Sequence, residues 1–241
     1  MMYNPAMAGR SKYGNGSIIS AAFVIGVASL VSRIVGLIRE RVFTTTFGAG
    51  DTFDAFVAAF RIPDVIFNLI VIGALSAAFI PLFTEKLVGR GGDKQAHEFA
   101  TATLNIILIA VAVLSALYAL FAPILVPIIT PGFGGDVLQL TIRLSRIMAL
   151  QPILLAVSFV FSGILNSYRR FVAYALAPIL YNIGIILGVV WLVPIVGIAG
   201  LGWGVVLGAV LHMLVQLPSV LRVGFIWKPT IRKSLPELRR L

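Results

Sequence analysis

The sequence contains no cysteine. That excludes a disulfide framework and any thiolate metal site. Acidic residues are scarce, nine Asp plus Glu against nineteen Lys plus Arg in 241 residues. His212 has no second ligand near it in the sequence, which argues against a metal site. There is no nucleophile elbow, no glycine-rich phosphate loop with its lysine, no HExxH and no close carboxylate pair in a polar setting. Neither enzyme activity nor a bound cofactor is therefore expected. Charge of either sign is low: 12% of residues are Asp, Glu, Lys or Arg, about half the usual share for a soluble domain. Most of the surface therefore does not face water.

What is present is apolar. Hydrophobic residues make up 59% of the chain and the mean hydropathy is +1.03. A net charge of +10 would suggest nucleic acid in a soluble protein. Here the basic residues sit in short loops between apolar runs, so membrane topology explains them and nucleic acid does not. Arg10 and Lys12 precede an apolar stretch from Ile18, as in a signal peptide, but no polar mature domain follows. The run reads as an uncleaved first span.

A hydrocarbon core about 30 Å thick needs about 20 apolar helical residues. On that ruler the chain is an all-α, polytopic bundle of about six transmembrane helices. The spans run from about Ser17 to Phe43, Thr52 to Leu87, Ala96 to Ile129, Val137 to Asn166, Ala173 to Leu192 and Ile198 to Leu221. The second is too long for one straight crossing, and Pro63 and Pro81 are expected to break or kink it. Residues 1–16 read as an N-terminal tail, 17–222 as the six-helix lobe and 223–241 as a basic tail or the start of a linker to a second lobe. Alternate connectors carry the positive charge: Lys86, Arg90 and Lys94, then Arg169 and Arg170, then Arg222 and the tail. The positive-inside rule places that side, and both termini, in the cytoplasm. Glycines at helical spacing (Gly184 and Gly188; Gly200, Gly204 and Gly208) read as close helix packing.

Six arginines are left unexplained by topology: Arg33, Arg39, Arg41, Arg61, Arg143 and Arg146. A charge at mid-membrane depth costs at least about 2.5–3.5 kcal/mol on insertion scales. Arg33 lies about sixteen residues into the first span, too deep to reach the interface easily. An ion pair with Glu40 or Asp54 is its structural explanation; the shortage of acidic residues favours a functional one. Arg41 suits snorkelling, and Arg39 fits either reading. On an ideal helix Arg33 and Arg39 lie about 120° apart, so they share a cavity only if it is wide or if the helix bends near Gly36. Arg61 and Asp64, three residues apart, are spaced for a local salt bridge. Arg143 and Arg146 either snorkel to the outer headgroups or flank something anionic. Asn68, Asn105, Gln151, Asn166, Asn182, His212 and Gln216 read mostly as interhelical hydrogen bonders. A positive interior in a helix bundle suits a phosphate-bearing lipid head group.

The stretch SLVSRIVGLIRERVFTTTFGAGDTFDAFVAAFRIPDVIFNLIVIGALSAAFIPLF (Ser29 to Phe83) closely resembles the start of the MurJ/MviN family, the lipid II flippases of bacterial peptidoglycan synthesis, within the MATE-like exporter superfamily. LNSYRRFVAYALAPILYNIGII (Leu165 to Ile186) and GLGWGVVLGAVLHMLVQLPSVL (Gly200 to Leu221) resemble the same family. The resemblance implies a two-lobed helical protein in the plasma membrane that moves lipid II outward by alternating access. It also implies that Arg33, Arg39 and Asp54 contact the substrate; apart from the resemblance, Arg61, Arg143, Arg146 and Glu40 are secondary candidates as charged residues in or near the spans. Two departures stand out. Phe67 and Asn68 occupy positions where many members carry an arginine, and Ile72 replaces a frequent acidic residue. The likeness also covers only an N-terminal lobe, so a fragment, or a second polypeptide supplying the other lobe, is expected. A MATE-like drug or polysaccharide-lipid exporter and a non-transporting membrane scaffold are the rival readings.

Overall fold

The computed structural model describes residues 18–48, 50–69 and 78–228. The predicted tail residues 1–16, Ile72 and the basic residues from Arg232 onward lie outside the described residues.

Apolar runs without water to bond their backbone must close hydrogen bonds internally, and every long described element is helical. In chain order these are α1 (Ile18–Phe47), α2 (Asp51–Phe67), α3 (Phe79–Val88), α4 (Gly92–Ile129), α5 (Gly135–Met148), α6 (Gln151–Ser167), α7 (Phe171–Leu187), a π turn (Gly188–Leu192), α8 (Val193–Val196), α9 (Ala199–Leu214) and α10 (Leu217–Arg222). Among the described residues, five stretches are long and apolar enough to cross a membrane: α1, α4, α5–α6, α7–α8 and α9–α10. The predicted second span appears as α2 and α3, flanking residues 70–77, which lie outside the described residues.

Prolines set the internal breaks. Pro152 and Pro218 sit in the first turn of α6 and α10, where a missing N–H is tolerated. The predicted fourth and sixth spans are therefore each divided, at Ala149–Leu150 and Val215–Gln216. Pro63, Pro123, Pro127 and Pro178 stay inside helices.

The closest packing joins α7 to α9. A Cβ placed on Gly204 would lie 2.6 Å from Gly188 Cα, and one on Gly208 2.5 Å from the Tyr181 carbonyl oxygen. Glycine is required there because the two backbones touch, as the small-residue spacing predicts. α1 lies on α7, α2 on α5, and α4 between α5 and α6. One apolar core gathers Phe79, Phe83, Phe99, Ile164, Tyr168 and Val220. Another joins Phe43 of α1 to Ala59, Leu144, Met148, Ile185 and Val205.

The predicted basic tail begins differently from expectation. Val223 and Phe225 are buried in the first core, and the Trp227 indole donates to Asn105 Oδ1 at 2.8 Å. The apolar run VGFIW holds the chain against α4 as far as Lys228, so the lobe continues past residue 222. Tyr168 donates its hydroxyl to Asp93 Oδ1 at 2.7 Å, joining the α6–α7 turn to the start of α4. Lys94 and Lys228 border one groove, and Arg169, Arg170 and Arg222 border another. The basic connectors thus gather at one end of the bundle.

Candidate functional site

α1 carries its arginines on a helix that is mostly unburied. It runs without interruption through Gly36, so Arg33 and Arg39 remain about six residues of rotation apart. Arg33 is exposed, whereas Arg39 is half-buried and turned toward α7. There its Nη1 donates to Asn182 Oδ1 at 3.0 Å. Asn182 is itself held: Nδ2 donates to the Pro178 carbonyl at 3.0 Å and reaches the Ser32 carbonyl at 3.5 Å. A Cβ on Gly36 would sit 3.9 Å from that same amide. One buried asparagine therefore fixes the approach of α1 to α7 and the direction of Arg39.

Arg39 faces α2 across a groove of about 290 Å³, lined also by Phe56, Val57, Phe60, Arg61 and Asp64. Two guanidinium groups from different helices share this space with one carboxylate. The predicted Arg61–Asp64 salt bridge is not formed. Asp64 Oδ2 instead accepts from Asn68 Nδ2 at 2.9 Å. A residue four positions on lies about 40° around the helix, one three positions back about 60°. Asn68 is thus the nearer neighbour, and Arg61 stays exposed. The Tyr181 hydroxyl of α7 accepts from Gln151 Nε2 at 3.0 Å.

The structure does not bring all the sequence candidates together. α2 packs on α5, where Ala59 meets Leu144 and Met148, with Ala55 and Ala58 also buried, and Asp54 is exposed. Its carboxylate has no partner among the described residues, so the predicted meeting with the first-span arginines is not made. Glu40 and Arg41 are exposed, and neither lines the groove.

Arg146 has a different task. Its Nε donates to the Ala119 carbonyl of α4 at 3.1 Å. Ala119 lies four residues before Pro123, which has no N–H to give that carbonyl. The guanidinium replaces a hydrogen bond that proline removed. Arg143 lines the same groove of about 440 Å³, with Arg146, Gln139 and Trp203.

The polar residues read as interhelical bonders largely act so. Ser158 Oγ lies 2.6 Å from His212 Nδ1, and Gln216 Nε2 donates to that hydroxyl at 2.6 Å. Ser162 donates to Gln216 Oε1 at 2.9 Å. This ladder stitches α6 to α9–α10. Asn68 and Asn166 are exceptions: the Asn68 side chain bonds within its own helix segment, and Asn166 takes part only through its backbone carbonyl, which accepts from Arg169 N–H. No three His, Asp or Glu side chains among the described residues form a metal ligand set. Sequence reasoning missed Asn182 as the residue that aims Arg39, and Gln151 as the partner of Tyr181.

Comparison with known proteins gives consistent results. The family model described as Lipid II flippase MurJ matches residues 43–241. Asp54, Arg61 and Asp64 fall inside that span, and Arg33 and Arg39 precede it. The chain is 33% identical to the lipid II flippase MurJ of Burkholderia cenocepacia, over 87% of this chain and 41% of that protein. It is 30% identical to the probable lipid II flippase MurJ of Rhizobium tropici, over 93% of this chain and 44% of the relative. A solved lipid II flippase MurJ in an inward closed conformation superposes with a TM-score of 0.73 at 24% identity. It covers 90% of this chain and 45% of that one, and shares the fold. The chain spans less than half the length of these curated relatives. With most of its length inside the family model, an all-helical bundle that superposes on a solved member, and relatives at about one-third identity, this chain belongs to the MurJ family.

Proposed function

We propose that this chain is the N-terminal lobe of a lipid II flippase in the plasma membrane, its basic end cytoplasmic, and that it binds the diphosphate of the lipid-linked precursor. The observation that carries this reading is the groove in which Arg39 and Arg61, from two helices, meet with only Asp64 to balance them. Arginine gives bidentate, charge-assisted contact to phosphate oxygens. Arg39 is the principal contact because Asn182 pre-orients it. Arg33, about 9 Å further along α1, extends the positive surface toward the second lobe. Asp54 and Glu40 would tune that surface. Acyl chains stay in lipid while the head group crosses through a cavity closed by a second lobe, supplied by a separate polypeptide or by a longer chain. Alternating exposure then follows from rocking of the two lobes.

The test is complementation of flippase-depleted cells by this chain, with and without a separately expressed second lobe. Growth is expected only with both. Arg33→Ala and Arg39→Ala, made in the functional pair, are expected to abolish growth, and Asn182→Leu to weaken it while protein levels hold. Full survival of both arginine variants removes the diphosphate role. Growth from this chain alone removes the two-lobe requirement.

A further inference from the structure

A second groove lies at the basic end, away from Arg39. It has a volume of about 530 Å³ and opens between the start of α1, the α6–α7 turn and α10. Arg169, Arg170 and Arg222 line it together with the apolar Val24, Leu176 and Val215. Arg169 and Arg222 are exposed. Three arginines and apolar side chains lining one groove match one kind of ligand: a phosphate with an acyl chain attached.

The backbone at this turn bears on the same point. Arg170 N–H bonds the Leu165 carbonyl at 2.8 Å and Arg169 N–H the Asn166 carbonyl at 2.9 Å. Those two bonds close α6 with a left-handed residue at the position where glycine is usual. Here that residue is Arg169, with φ 56°, the sole described non-glycine residue at positive φ. A side chain in this conformation is strained. Glycine would close the helix better, so the arginine side chain is kept against the local conformational preference. Topology does not require it at this position, since Arg170 and Arg222 already mark this end as basic. The first turn of α7 opens on the same groove and has no side-chain cap, which adds to the positive potential.

We infer that this groove is a binding site for an anionic phospholipid of the leaflet at the basic end, its phosphate held by Arg169 and Arg222 and one acyl chain lying along Val24 and Leu176. The site is separate from the diphosphate groove and does not depend on it. A lipid seated there joins α1 to α7 and α10 at the end where α1 has few other contacts.

The full chain, purified in dodecyl maltoside, is titrated with phosphatidylglycerol, and bound lipid is read by native mass spectrometry. Retention of phosphatidylglycerol over phosphatidylcholine is expected. Arg169→Gly and Arg222→Gln are each expected to weaken it about tenfold, the size of one charge-assisted contact. Arg169→Gly is also expected to raise the melting temperature of the lipid-free protein by about 2 °C, because glycine relieves the turn. Loss of binding together with a gain in stability cannot come from misfolding. Arg90→Gln, at the same end but outside the groove, and Arg39→Ala are expected to bind as the parent does. Equal weakening by Arg90→Gln would mean diffuse surface charge, and loss in Arg39→Ala would assign the lipid to the diphosphate groove. Displacement by glycerol 3-phosphate at lipid-like concentrations would mean a soluble phosphate site. Each of these three results, or unchanged binding in Arg169→Gly and Arg222→Gln, overturns the proposal.

Discussion

Arg146 and Pro123 form a pair whose interdependence can be measured. Replacing Arg146 by Met removes the 3.1 Å donor to the Ala119 carbonyl. An acceptor left bare costs about 1–3 kcal/mol, and interhelical hydrogen bonds measured in membranes average about 0.6 kcal/mol, with a maximum near 1.7. The same substitution deletes a charge whose insertion penalty is about 2.5–3.5 kcal/mol at full depth. The two effects oppose, so the single variant does not reveal the hydrogen bond. A double-mutant cycle does. In Pro123→Ala the new N–H at position 123 supplies the Ala119 carbonyl, and Arg146 becomes dispensable there. The charge penalty is common to both backgrounds and cancels. The expected coupling is about 1 kcal/mol, with Arg146→Met less harmful beside Ala at 123 than beside Pro. Unfolding in mixed dodecyl sulfate and dodecyl maltoside micelles, followed by tryptophan fluorescence, reads it, since Trp203 lines the same groove as Arg146. Additivity within about 0.3–0.5 kcal/mol would refute the idea that the guanidinium replaces the missing amide.

Two further outcomes follow from packing. Gly184→Ala drives a methyl group into the Gly208 backbone and is expected to destabilise the lobe by about 1–3 kcal/mol. Gly26→Ala meets nothing within 4 Å and is expected to be neutral or slightly stabilising in the same unfolding assay; equal effects would refute the contact argument. Phe225→Ala empties a fully buried site beside Phe161 and His97 and is expected to cost about 3–5 kcal/mol, with protease cleavage appearing near residue 225. Unchanged resistance to protease would mean that the segment after α10 does not secure the core.

The bundle was readable in the sequence because its signals are local. Apolar run length marks the crossings, alternate basic connectors mark the ends, and glycine spacing marks the α7–α9 contact. The breaks at Ala149 and Val215 were harder to place. Proline restricts the residues before it, yet Pro63, Pro123 and Pro178 stay within helices and Pro152 and Pro218 begin new ones. Residue spacing could suggest Arg61–Asp64 but could not show Asn68 as the nearer competitor. Arg39 was legible as an unusual charge, whereas its partner Asn182 depends on how α1 docks on α7. The role of Arg146 was half-written in the chain: Pro123 announces an orphan carbonyl, and only the packing of α5 on α4 says which donor reaches it.

The Arg39–Asn182 contact also imposes a schedule. The two residues are 143 positions apart, and a ribosome adds about 5–20 residues per second. Arg39 is therefore synthesised about 7–30 s before the amide that receives its guanidinium. For that interval the arginine must be sheltered by water, lipid phosphate or the insertion machinery. Placing Asn182 late in the chain makes the capture of the first helix one of the last events in building this lobe.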